Sequence, residues 1–136
     1  MSLYHVTAQN TKGINGDVIL SNGKLVKTSH PLEVNEGFNP EELIALAWST
    51  CLNATVKSLL SARHLGHLHS RVEVKVSLEK EPKLQGYYFQ VDGLVSIKDL
   101  SQEEGESVLT EAHQRCPVSK LMTGSVSLTL KYLEWE

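Results

Sequence analysis

The segment that most constrains this chain runs from Asn39 to His64. Asn39-Pro40-Glu41-Glu42 opens it as a helix: asparagine caps free N–H groups, proline fits the first helical position, and Glu42 stands at capping-box spacing. Beyond that start, Leu43, Ile44, Ala47, Cys51, Leu52, Val56, Leu59 and Leu60 are apolar, and Ala45, Leu46, Trp48 and Ala54 extend the apolar surface almost around the helix. A helix apolar nearly all round belongs in an interior. It is predicted to end near Arg63 or His64, with Gly66 just past its end. The fold is therefore expected to wrap around one long central helix, buried on all sides.

The flanking segments read as strands and two further helices. Asp17-Val18-Ile19-Leu20 and Lys24-Leu25-Val26-Lys27 enclose Ser21-Asn22-Gly23, a hairpin signal in which Asn22 and Gly23 are both expected at positive φ. Leu3 to Ala8 could pair with that hairpin, and a loop is expected from Ser29 to Phe38. Val72, Val74, Val76 and Leu78 alternate with Glu73, Lys75, Ser77 and Glu79, the pattern of a half-buried strand. A turn through Pro82 and Gly86 leads to a second strand from Tyr87 to Ile97, with Gly93 a candidate bulge. Ser101 and Glu104 cap a helix carrying Val108, Leu109 and Ala112 that ends near Arg115, and Cys116-Pro117 starts a short one. Val126, Leu128, Leu130 and Tyr132 alternate in a last strand. The order β-β-β-α-β-β-α-α-β predicts an α+β fold with mostly antiparallel sheet, in one domain spanning residues 1–136.

Composition narrows the function. With 136 residues and a formal charge of −3, the chain has no basic surface for a polyanion, so nucleic acid is not an expected partner. The start, Met1-Ser2-Leu3-Tyr4-His5, lacks the cationic patch and apolar run of a secretory signal. No stretch reaches about 18 unbroken apolar residues, so no membrane partner is expected. A cytoplasmic location is expected, where thiols stay reduced. Two cysteines cannot make a disulfide framework there, and a bond between them would be transient and catalytic.

Both cysteines are therefore candidates. Cys116 precedes a proline at a helix start, where unpaired N–H groups and the helix dipole favour an anion and lower a thiol pKa. Arg115 and Lys120 are near in sequence. The plain alternative is a small side chain filling a gap. Cys51 lies mid-helix among apolar neighbours, where burial raises a thiol pKa and an inert role is the simpler reading. His64, His67 and His69 have metal-like spacing, but they straddle a helix end and no neighbouring Cys, Asp or Glu completes four ligands, so no metal is expected. His113 could face Cys116 across one turn. Glu41 and Glu42 suit a first helical turn whatever the function.

Asn39-Pro40-Glu41-Glu42-Leu43 leading to Cys51, together with Cys116-Pro117-Val118-Ser119-Lys120, resembles the OsmC/Ohr family of osmotically inducible and organic hydroperoxide resistance proteins. The resemblance covers essentially the whole chain. It implies an OsmC-like fold forming an intertwined homodimer with sites at the subunit interface. The implied activity is a thiol peroxidase that reduces organic hydroperoxides in oxidative-stress defence. No cofactor is implied, and the electrons come from a dithiol reductant such as protein-bound dihydrolipoamide. By position, Cys51 matches the peroxide-attacking cysteine, Cys116 the resolving one and Glu41 the family glutamate. Glu41 and Cys51 lie about 15 Å apart along one helix and about 80° apart around it, so they cannot meet within one chain. If two copies of the helix cross antiparallel near Leu46, Glu41 of one copy approaches Cys51 of the other, and a composite site across a two-fold axis results.

One position departs from the family pattern. A family arginine in a Gly-Arg-Asp-Gly-like turn pairs with the glutamate and supports the thiolate; here the stretch reads Gly13-Ile14-Asn15-Gly16. The arginines are Arg63, Arg71 and Arg115, none at that place, and Lys12 offers only a point charge. Either another cation substitutes or Cys51 is a slower nucleophile. The alternative function is a dimeric OsmC-like protein that binds a small apolar molecule with weak or no turnover. On local sequence Cys116 is the better activated thiol, whereas the resemblance makes Cys51 the attacker.

Overall fold

The computed structural model describes residues 1–33, 36–124 and 127–136. Residues 34 and 35 of the expected loop, and Val126 of the expected last strand, lie outside the described residues. The chain divides into two compact units, Met1–Leu43 and Ile44–Glu136.

In the first unit β1 (Ala8–Asn10), β2 (Gly16–Leu20) and β3 (Leu25–Thr28) form an antiparallel sheet in that order. The β2–β3 hairpin forms, but with a different turn from the one expected. Gly23 takes φ 92° whereas Asn22 does not enter the left-handed region. The Gly23 N–H donates to the Leu20 carbonyl at 2.9 Å and the Leu20 N–H to the Lys24 carbonyl at 2.8 Å, a three-residue loop closed by a glycine bulge. The Asn22 side chain accepts from the Lys24 N–H at 3.0 Å, which holds the turn without a strained asparagine backbone.

The central helix α1 (Pro40–Ala62) begins with the reciprocal cap its sequence prescribes. The Glu42 N–H donates to Asn39 Oδ1 at 2.8 Å, and the Asn39 N–H donates to Glu42 Oε1 at 2.9 Å. Its end differs from expectation. His64, not Gly66, takes the left-handed position, at φ 63°. The Leu65 N–H reaches the Leu60 carbonyl at 2.7 Å and the His64 N–H the Ser61 carbonyl at 3.1 Å, the paired bonds of a Schellman cap. Leu60 and Leu65 both join the core, so apolar packing offsets the cost of a left-handed histidine.

In the second unit β4 (Ser70–Lys80) and β5 (Tyr87–Ile97) pair antiparallel along their full length, and β6 (Leu128–Tyr132) pairs parallel to β5. Gly93 is not a bulge: it sits in unbroken register between Val74 and Leu130. α2 (Gln102–Arg115) starts at Ser101, whose hydroxyl accepts from the Glu104 N–H at 3.2 Å, and α3 (Pro117–Met122) follows directly. The core joins Trp48, Leu52, Val56, Leu59 and Leu60 of α1 to Val91, Val95 and Ile97 of β5, Val108, Leu109 and Ala112 of α2, and Tyr132. The fold is thus α+β with mostly antiparallel sheet.

Burial of α1 on every side does not hold within one chain. One face is buried, but Leu43 and Leu46 are 39% and 51% exposed, and Ala47 and Ala54 are exposed as well. A single sheet-and-helix layer can cover only one side of a helix. By length and composition α1 could also cross a membrane, a test that core helices pass too. Here Trp48, Leu52, Val56, Leu59 and Leu60 are buried inside the protein.

Candidate active site

Cys51 and Cys116 come together. Cys51 faces the flank of the buried α1 stripe and is half-buried, whereas Cys116 is fully buried. Their sulfurs lie 3.3 Å apart, in contact but unbonded, since a disulfide is about 2.05 Å long.

Cys116 is held by its position between two helices. It ends α2, its N–H donating to the Ala112 carbonyl at 2.8 Å, and it caps α3, its sulfur accepting from the Ser119 N–H at 3.4 Å. Proline at the next position gives up an N–H that no partner would meet in the first helical turn. The accessible thiol is therefore Cys51. Burial pushes its pKa up, the backbone N–H of Val118 works against that shift by favouring the thiolate, and the adjacent Cys116 adds to the rise.

One contact that the sequence reading missed braces the two thiols. The Trp48 indole N–H donates to Ser119 Oγ at 2.9 Å, and both residues are fully buried. Gly93 makes room for the ring: a Cβ there would stand 2.8 Å from Trp48 Cη2 and 2.8 Å from Leu130 Cδ1. Trp48 precedes Cys51 by three residues and Ser119 follows Cys116 by three, but nothing in the sequence marks the two as partners. An apolar cavity of about 530 Å³ is lined by Ile44, Ala47, Phe89, Val118, Met122 and Leu128 among others; Ala47 stands one helical turn before Cys51, and the Val118 N–H is the one that faces its sulfur.

Glu41 stands in the first turn of α1, half-buried, without an ion pair or hydrogen bond among the described residues. The arginines are engaged elsewhere. Arg63 and Arg115 each bind Glu111 at 2.9 Å, and Arg71 stacks 4.3 Å from the Trp135 ring and contacts Glu73 at 3.4 Å. The positive charge expected from Arg115 beside Cys116 is thus committed to Glu111. Lys12 forms no ion pair among the described residues; its N–H donates to Asn10 Oδ1 at 3.0 Å within the Asn10–Gly13 turn. His64 serves as a helix cap, and no group of three or more His, Cys, Asp or Glu gathers among the described residues. His113 is half-buried, and its Nδ1 has no hydrogen-bond partner among the described residues.

The family described as OsmC-like protein matches residues 33–131, most of the chain and both cysteines. The chain belongs to the OsmC/Ohr family. Organic hydroperoxide resistance protein-like 2 of Staphylococcus epidermidis is 28% identical over 134 residues, covering 95% of this chain and 94% of that one. Organic hydroperoxide resistance protein-like 1 of Staphylococcus saprophyticus is 30% identical over 131 residues, with 93% of each chain covered. Among solved structures, the organic hydroperoxide resistance protein OhrB of Bacillus subtilis superposes with a TM-score of 0.83 at 27% identity, covering 97% of this chain and 100% of that one. The OsmC/Ohr fold expected from the paired cysteine motifs is therefore the fold of this chain.

Proposed function

We propose that this OsmC/Ohr protein is a thiol peroxidase that reduces organic hydroperoxides to alcohols. The observation that carries the reading is the 3.3 Å separation of the two sulfurs, one half-exposed and one buried. Cys51 is the attacker because it is the sulfur a peroxide can reach. Its thiolate attacks the distal peroxide oxygen, an S–O bond forms as the O–O bond breaks, and the displaced alkoxide takes a proton and leaves as alcohol. Cys51 is then a sulfenic acid, oxidised by two electrons. Cys116 loses its proton and attacks that sulfur, hydroxide leaves as water, and a disulfide closes. A dithiol, of the dihydrolipoamide type, restores both thiols by exchange and is itself oxidised to a disulfide.

Attack is expected to be slow for this family. Burial disfavours the Cys51 thiolate, Ile14 stands where the family arginine is expected, and Arg63, Arg71 and Arg115 are engaged elsewhere. The exposed apolar stripe through Leu43 and Leu46 supports a homodimer in which two α1 helices cross and bring Glu41 of one copy toward Cys51 of the other. The family match crosses the boundary between the two compact units, which supports treating residues 1–136 as one domain. A reducing cytoplasmic compartment suits a disulfide that must be reopened.

A second reading, binding of a small apolar molecule with little turnover, is favoured by the apolar cavity lined by Ala47 and Val118. Thiol loss on treatment with cumene hydroperoxide separates the two. A peroxidase loses two thiols per hydroperoxide and regains them with dihydrolipoamide; a binding protein keeps both.

A further inference from the structure

Each cysteine stands three residues from a partner, and the two partners are also joined. Trp48 precedes Cys51 on α1, Ser119 follows Cys116 on α3, and the indole N–H donates to Ser119 Oγ at 2.9 Å. Three residues of helix rise about 4.5 Å, so the indole–hydroxyl bond and the sulfur–sulfur contact form neighbouring rungs between the same two elements. A single contact leaves two helices free to pivot. A second one close by fixes their spacing and their rotation.

Both ends of the added rung are anchored. The Trp48 ring lies over Gly93, at a place where any Cβ would meet it. The Ser119 carbonyl accepts from the Thr123 N–H at 2.8 Å and the Thr123 hydroxyl at 2.7 Å, and the Ser119 N–H donates to Cys116 Sγ at 3.4 Å. Trp48 and Ser119 are fully buried, so neither meets the peroxide.

We infer that Trp48 and Ser119 are a positioning pair that sets how fast Cys116 closes on oxidised Cys51, and so guards Cys51 against a second oxidation. This inference rests on the thiol-peroxidase reading. The Cys51 sulfenic acid has two fates. Attack by the Cys116 thiol forms the S–S bond, and the sulfenic hydroxyl leaves with the thiol proton as water. Reaction with a second hydroperoxide instead takes two more electrons from the same sulfur, yields a sulfinic acid and releases a second alcohol. The effective concentration of Cys116 at Cys51 decides between them. The indole–hydroxyl rung raises that concentration by removing orientations in which the sulfurs miss.

The test compares wild type with Ser119→Ala, Trp48→Phe and the double variant. The first measurement needs no peroxide: the Cys51–Cys116 disulfide is equilibrated against reduced and oxidised dithiothreitol. Each single variant should lower the equilibrium constant by up to about tenfold, because the dithiol form loses orientations in which the sulfurs already meet. The double variant should fall little further, because either change already breaks the bond. The second measurement follows cumene hydroperoxide treatment by intact mass. The variants should accumulate sulfinic acid while the first loss of the Cys51 thiol keeps its wild-type rate.

Trp48→Phe keeps an aromatic ring over Gly93 and covers the case in which Ser119→Ala does not fold. A wild type that closes no disulfide in the redox buffer defeats the peroxidase reading. A wild type that closes it, with variants that close it equally and gain no sulfinic acid, defeats this inference alone. Additive losses in the double variant, or slowing of the first thiol loss, would show general disruption and also overturn it.

Discussion

The sulfurs of Cys51 and Cys116 lie 3.3 Å apart although 65 residues separate them in sequence. They are brought together by one turn of a long helix and the cap between two short ones. Bond formation asks for about 1.3 Å of further approach between the sulfurs.

The first prediction concerns pH. Burial raises the Cys51 pKa above the ordinary thiol value of 9.0, with only the Val118 N–H opposing. A group held protonated loses reactivity below its pKa, so the rate of Cys51 oxidation should climb steadily from about pH 6 to pH 9. Stopped-flow peroxide consumption across that range checks it. A rate already at its plateau near neutral pH would mean that another group arms the thiol.

Leu46 is 51% exposed on the apolar face of α1. Leu46→Glu should turn the proposed dimer into a monomer by sedimentation velocity, and should lower peroxidase activity if Glu41 acts across the interface. A monomeric wild type, or an unchanged sedimentation coefficient in the variant, contradicts the composite site.

Gly105 lies directly against the Tyr132 ring, leaving no room for a Cβ. The Tyr132 hydroxyl donates to the carbonyls of Ile97 at 3.2 Å and Leu100 at 3.3 Å, so the ring cannot move aside without breaking buried bonds. Gly105→Ala should therefore destabilise the protein by about 3 kcal/mol, the upper part of the overpacking range. Urea denaturation measures this, and a loss within error of zero would show that the ring relaxes freely.

Asp92 accepts from the Thr129 hydroxyl at 2.6 Å and from Gln90 Nε2 at 3.0 Å, and these bonds, Thr129 first, hold its carboxyl below the usual value of 3.8. A carboxyl lowered in the folded state binds its proton less readily than in the unfolded chain. The stability it contributes is present above the unfolded pKa and lost as pH falls through the folded one. Asp92→Asn should flatten the decline of melting temperature below about pH 4. An unchanged acid limb would dismiss the carboxyl as its source.

Much of this molecule was legible in its sequence, where short-range chemistry decided the structure. The Asn39–Glu42 cap, the Ser101 cap and the alternating strands each follow from residues within a few positions of one another. The failures arose where a distant partner or a packing term took over. Asn22 turned its side chain to the Lys24 N–H instead of its backbone to the left. His64 took the helix cap ahead of Gly66 because Leu65 could then join the core. Gly93 looked like a bulge but is small for the sake of Trp48, and the Trp48–Ser119 bond spans 71 residues that no local pattern connects. The cysteines could be singled out locally, but their contact depends on that long-range frame.

The most direct measurement is stopped-flow consumption of cumene hydroperoxide by wild type, Cys51→Ser and Cys116→Ser with a dihydrolipoyl reductant. With the reductant, wild type should turn over and Cys51→Ser should be inactive; without it, Cys116→Ser should consume one equivalent and stop as a Cys51 sulfenic acid. Turnover that survives Cys51→Ser, or a wild type that consumes no hydroperoxide, would contradict the account.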